Sequence, residues 1–69
     1  MDLKVTINGE EHRLQGPLSV DALLSQLGIE RGKIAVERNL EIVPRSLYGD
    51  TRVLDGDRVE IVQFIGGGM

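Results

Sequence analysis

Apolar and polar residues alternate over Leu3-Lys4-Val5-Thr6-Ile7, which predicts a half-buried strand with Leu3, Val5 and Ile7 turned inward. Asn8-Gly9 comes next. Both residues tolerate positive φ, so the pair predicts a hairpin turn. The stretch from Glu10 to Leu14 returns as a more polar strand with Leu14 as its core contact. Its charges suit a sheet edge, where they discourage further pairing. Gln15-Gly16-Pro17 breaks that strand. Val20, Leu23, Leu24 and Leu27 then recur at helical spacing and predict a helix over 20–27 with one apolar face. Ser19 is placed to cap it, Asp21 suits the positive end of the helix dipole, and Gly28 is the expected left-handed C-cap. A helix this short is not stable alone. It must lie on a sheet.

The second half of the chain supplies more strands. The stretch from Lys33 to Arg38 alternates, with Ile34 and Val36 inward, and Leu40 to Val43 is a short fourth piece ended by Pro44. Arg45 to Tyr48 has the length of a single helical turn, with Leu47 as its expected anchor. Thr51 to Leu54 is short and extended, Asp55-Gly56-Asp57 is a tight turn, and Arg58 to Val62 alternates again with Val59 and Ile61 inward. A hairpin, one helix and further strands predict an α+β domain, with a mixed sheet of four to five strands and the helix on one face. The first and last strands are the most apolar, so they are expected at the centre. Lying side by side they run parallel, which the long crossover through the helix permits. Lys4, Thr6, Arg58, Glu60 and Val62 then share the sheet face that the helix leaves free. The expected core is Leu3, Val5, Ile7, Leu14, Leu23, Leu27, Ile34, Val36, Leu54, Val59 and Ile61.

Composition narrows the chemistry. Sixty-nine residues make one small domain. A chain of that size buries only about 60% of its unfolded surface, so the core is lean. There is no cysteine, which excludes disulfides, thiol catalysis and thiolate metal sites, and fits a cytoplasmic location. His12 is the single histidine and reads as a surface or rim residue; no metal site is expected. Asp55 and Asp57 are paired carboxylates, but a calcium loop needs several further oxygen ligands at regular spacing, so they read as a turn. The net charge is −3, the eight cationic residues are scattered singly, and Tyr48 and Phe64 are the only aromatics. A nucleic-acid surface wants clustered cations and stacking platforms, so no nucleic-acid partner is expected. No apolar run has the length of a membrane span, and the opening Met1-Asp2-Leu3-Lys4 reads as strand rather than signal peptide, so no membrane partner is expected either.

The end of the sequence is where function is expected. Val62-Gln63-Phe64-Ile65 passes into Gly66-Gly67-Gly68 and then Met69. Glycine has no Cβ and loses the most freedom on ordering, so the sequence predicts a domain over 1–65 and a flexible tail over 66–69. Such a tail suits the presentation of a terminal carboxylate to a narrow active site. Fully extended, four residues reach about 13–14 Å. Phe64 and Ile65 are apolar beyond the strand that fills the core, and with Val62 and Gly66 they are candidate partner-binding residues.

The sequence resembles the ubiquitin-like sulfur carriers, and among them the ThiS family. Asn8-Gly9, Val43-Pro44-Arg45-Ser46, the stretch from Asp55 to Val62 and the glycine tail carry the resemblance, which covers nearly the whole chain. It implies a β-grasp fold and a sulfur-carrying co-substrate protein rather than an enzyme. It implies three partners: a ThiF-type adenylating enzyme, a cysteine desulfurase or other sulfur donor, and a ThiG-type thiazole synthase. No bound cofactor is implied; ATP is used by the activating enzyme. The reacting residue is Gly68, preceded by Gly67. The family usually ends on Gly-Gly, whereas this sequence has Met69 after Gly68, so the resemblance puts the thiocarboxylate on Gly68 after loss of Met69. The nearest alternative is the small subunit of molybdopterin synthase, and a different class is a β-grasp interaction module or protein modifier that carries no sulfur. Dependence on a synthase that takes up sulfur separates these readings.

Overall fold

The computed structural model describes residues 1–64. In chain order they form β1 (Asp2–Ile7), β2 (Glu10–Gln15), β3 (Leu18–Ser19), helix α1 (Val20–Leu27), β4 (Ile34–Arg38), β5 (Glu41–Val43), β6 (Arg52–Val53) and β7 (Arg58–Gln63), with single 3₁₀ turns at Arg31–Lys33 and Arg45–Leu47. Five strands make one sheet in the order β2-β1-β7-β4-β5. β1 and β7 lie inside it and run parallel, and the remaining neighbours are antiparallel. The polar strand β2 is an edge, as its charges predict.

Asn8 does more than turn the first hairpin. It sits at φ 50° with Gly9 at φ 86°, which a two-residue hairpin turn of this hand requires. Its side-chain oxygen also accepts from the Ile61 N–H at 2.7 Å, and its amide donates to the Ile61 carbonyl at 3.1 Å. The side chain thus extends the pairing of β1 with β7 past the end of β1.

Helix α1 starts and stops where the sequence predicts. Ser19 Oγ accepts from the Ala22 N–H at 3.1 Å. Gly28 sits at φ 72°, its N–H donates to the Ser25 carbonyl, and Ile29 donates to the Leu24 carbonyl, which satisfies carbonyls left open at the helix end. Val20, Leu23 and Leu24 are buried against Leu3, Val5, Ile7, Ile34, Val36, Val59 and Ile61, while Leu14 and Leu27 pack on the rim of this cluster.

The segment between β5 and β7 differs from expectation. Leu47 and Leu54 are exposed, at 45% and 53%, and Tyr48 is the anchor at 1%. The short strand β6 pairs with β3, Leu18 opposite Val53, and that register turns Val53 inward and Leu54 outward. The opening N–H groups of α1 have no partner within the helix. Here the Val20 N–H donates to the Thr51 carbonyl at 2.9 Å and the Asp21 N–H to the Tyr48 carbonyl at 3.0 Å. The loop is therefore stitched to the helix start, and Tyr48 is carried into the core beneath it. Arg31 adds a cover: it pairs with Asp21 at 3.2 Å and lies 5.5 Å from the Tyr48 ring centroid.

Asp57 is more than a turn residue. It is 6% exposed, and its carboxylate accepts from Arg38 at 2.6 Å, from the Leu54 N–H at 2.8 Å and from the Asn39 amide at 3.1 Å. Asn39 Oδ1 in turn accepts from the Arg58 N–H. The turn before β7 is thereby clamped to the β4–β5 hairpin. Burial alone raises the Asp57 carboxyl, but the bonds from Arg38, Leu54 and Asn39 and the Arg38 charge outweigh it and hold the group below its ordinary value of 3.8. A depressed folded-state value means stability present above the unfolded value and lost as pH falls through the folded one. Melting curves of the wild type and Asp57→Asn should therefore differ most near neutral pH and converge below about pH 4. A gap that stays constant down to acid pH would show that the carboxylate charge contributes nothing.

Among the described residues no helix is long and apolar enough to cross a membrane.

Candidate functional site

β7 is the inner strand that leads the chain toward the glycines. It pairs with β4 up to Ile34 opposite Gln63, and the Phe64 N–H then donates to the Lys33 carbonyl at 2.9 Å. The chain is thus fixed to the sheet as far as Phe64. Of the predicted site residues, Val62 and Phe64 are both placed, each 55% exposed, and neither belongs to the core cluster. Ile65, Gly66, Gly67 and Gly68 lie outside the described residues.

Two surfaces flank this exit. Beside Phe64 lies an open groove of about 280 Å³, lined by Gly28, Ile29, Glu30, Lys33, Ile34 and Gln63 as well as Phe64. On the free face of the sheet, the register sets Val62 opposite Ala35, Glu60 opposite Glu37, and Glu37 opposite Ile42. The same face carries Lys4 opposite Arg13 and Thr6 opposite Arg58 further from the exit. Lys4 reaches Glu11 at 4.0 Å. Lys4, Thr6, Arg58, Glu60 and Val62 share this face as predicted. Ile42, 71% exposed, and Glu37 also belong to it. Sequence alone does not reveal these two, because the pairing of β4 with β7 and β5 is not written in either strand alone.

The other chemistry-bearing residues are absorbed structurally. Asp55 accepts from the Lys4 N–H at 2.7 Å, and the Asp57 carboxylate is occupied by internal donors. His12 stands on β2, with β1 between it and β7, and its Nε2 is 3.9 Å from a Glu10 carboxylate oxygen. Val43-Pro44-Arg45-Ser46 forms the step from β5 into the turn that seats Tyr48, with the Arg45 carbonyl accepting from Arg31 at 3.0 Å. Among the described residues no nucleophile, base and oxyanion site are assembled around a common point. What the described residues offer is an exposed, partly apolar face beside Phe64.

One helix on a mixed five-stranded sheet, with β1 and β7 parallel inside it, defines a β-grasp domain of the ubiquitin-like class. The ThiS family model matches residues 5–68, and the chain belongs to the ThiS family. It superposes on the crystal structure of the thiamine biosynthesis protein (ThiS) from Geobacter metallireducens with a TM-score of 0.81 and 38% identity, over 96% of this chain and 100% of that one. It is 38% identical over 50 residues to the sulfur carrier protein ThiS of Bacillus subtilis, covering 72% of this chain and 76% of that protein. It is also 56% identical over 66 residues, 96% of its length, to a thiazole synthase of Paramagnetospirillum magneticum. The chain spans about a fifth of the length of the thiazole synthases it matches.

Proposed function

We propose that this domain carries sulfur for thiamine biosynthesis, with the Gly68 carboxylate as its reacting group. The observation that supports this most is the family match, which runs through β7 and up to Gly68. A carboxylate is a poor electrophile. Attack of the carboxylate on the α-phosphorus of ATP expels pyrophosphate and leaves an acyl adenylate, which has a good leaving group. The terminal sulfur of a persulfide then attacks the acyl carbon and AMP departs. A thiol cleaves the remaining S–S bond, is itself oxidised to a disulfide, and leaves a thiocarboxylate. That sulfur is the nucleophile for thiazole formation. The carrier supplies an end group and a docking surface; a ThiF-type adenylating enzyme, a desulfurase-type sulfur donor and a thiazole synthase supply the catalytic groups. The partner has to surround the acyl group with donors to stabilise developing charge, and side chains beside the carboxylate would obstruct that approach. Glycine at 66 to 68 leaves it open. The thiazole synthases that contain a region similar to this chain support the choice of final acceptor.

The test is to incubate the chain ending at Gly68 with an adenylating enzyme, ATP and a persulfide donor, and to weigh the intact protein. Replacement of one oxygen by sulfur is expected, followed by its loss on addition of thiazole synthase and precursor. A chain whose mass does not change under these conditions is not a carrier.

Phe64→Ala should weaken association with both the adenylating enzyme and the synthase while the melting temperature stays nearly constant, since a half-exposed ring outside the core contributes little to folding. Loss of several kcal/mol of stability with normal binding would make Phe64 a core residue instead.

A further inference from the structure

The free sheet face carries an acidic pair with no ionic partner among the described residues. Glu37 and Glu60 stand directly opposite each other on β4 and β7, half-buried, and neither is ion-paired among the described residues. Like charges directly opposite on neighbouring strands destabilise a sheet. The acidic pair is bracketed by apolar neighbours, Ile42 on one side and Val62 opposite Ala35 on the other. Further from the exit the face is mixed, with Lys4, Arg13 and Arg58 interspersed with Asp2 and Glu11. This end of the face is poorly arranged for folding alone. Cross-strand repulsion and the exposure of Ile42 and Val62 would both be relieved by a partner.

We infer that Glu37 and Glu60 together receive an arginine or lysine that the adenylating partner presents within an apolar patch seated on Ile42 and Val62. This rests on the carrier reading above and adds which residues select the partner. Reach limits the choice of surface. Gly68 is four residues beyond Phe64, so a partner acting on it must sit within about 13–14 Å of that ring. Glu60 and Val62 meet this requirement, because they are on the strand that ends at Gln63, one residue before Phe64.

The experiment follows sulfur incorporation into the Gly68-ended chain as a function of carrier concentration, at low and high salt. The double variant Glu37→Gln, Glu60→Gln should raise KM about tenfold or more at low salt, with the loss in KM rather than kcat, and should flatten the salt dependence. Its melting temperature should equal or exceed that of the wild type, because the like-charge opposition is gone. Glu10→Gln with Asp50→Asn removes the same charge from exposed sites elsewhere and should not change KM. An unchanged KM in the Glu37, Glu60 variant overturns the inference, as does a raised KM that comes with a fall in melting temperature or is matched by the control. A wild-type chain that gains no sulfur at all overturns the carrier reading itself, and this docking mode with it.

Discussion

Leu23→Ala lowers the unfolding free energy by about 2–5 kcal/mol, the range for a large-to-small change at a buried aliphatic site. Leu23 is fully buried, in the middle of the one helix face that meets the sheet. Alanine is the best helix former, so the loss is in packing and not in helix propensity. The helix is eight residues long and has no independent stability, so a cavity beneath it is felt by the whole domain. Domain stabilities lie near 5–15 kcal/mol, and a lean core belongs at the low end, so the variant loses a large share of the total. Denaturant titration should show a lower midpoint with an unchanged slope. Leu47→Ala and Leu54→Ala are the controls, each expected to stay within about 0.5 kcal/mol because both side chains face solvent. A near-neutral Leu23→Ala beside a costly Leu54→Ala would mean that the helix face and the register of β6 are both misplaced.

The two halves of the chain were unequally legible. β1, β2, α1 and β7 each announce themselves through local rules: strict alternation, an Asn-Gly turn, a helical repeat between Ser19 and Gly28. Their partners follow once the crossover is recognised, since the most apolar strands take the inner positions. The stretch from Leu40 to Leu54 contains six aliphatic residues and a tyrosine within a few irregular turns. No period decides which of them point inward. What decides is long-range: β3 fixes the register of β6, and the open N–H groups of α1 fix where the Tyr48 and Thr51 carbonyls must lie. The same limit applies to the proposed docking face. Val62, Glu60 and Phe64 could be read from β7 alone, but Glu37 and Ile42 join them only through strand pairing that spans more than twenty residues. Asp57 was legible as a turn and not as a clamp, because its partners Arg38 and Asn39 come from another hairpin.

The chain ending at Gly68 is expected to accept sulfur, and the chain ending at Met69 is expected not to. A tunnel that admits an acyl terminus flanked by glycines is fitted to a backbone without side chains, and overfilling a fitted site is costly. Met69 would bring a long side chain to the reacting carbon and would move the carboxylate one residue further from β7. Adenylation should fail on geometry before any chemistry begins. Both forms are incubated with the adenylating enzyme, ATP and a persulfide donor, and the intact masses are compared. The Gly68-ended form should exchange one oxygen for sulfur. The Met69-ended form should keep its mass until a protease that cleaves after Gly68 is added, and should then convert at the rate of the shorter chain. Melting temperatures of the two should agree to within a degree or so, since a change confined to the terminus leaves the core untouched. If the Met69-ended form acquires sulfur equally fast with Met69 still attached, the requirement for glycine at the reacting position fails, and the assignment of Gly68 fails with it.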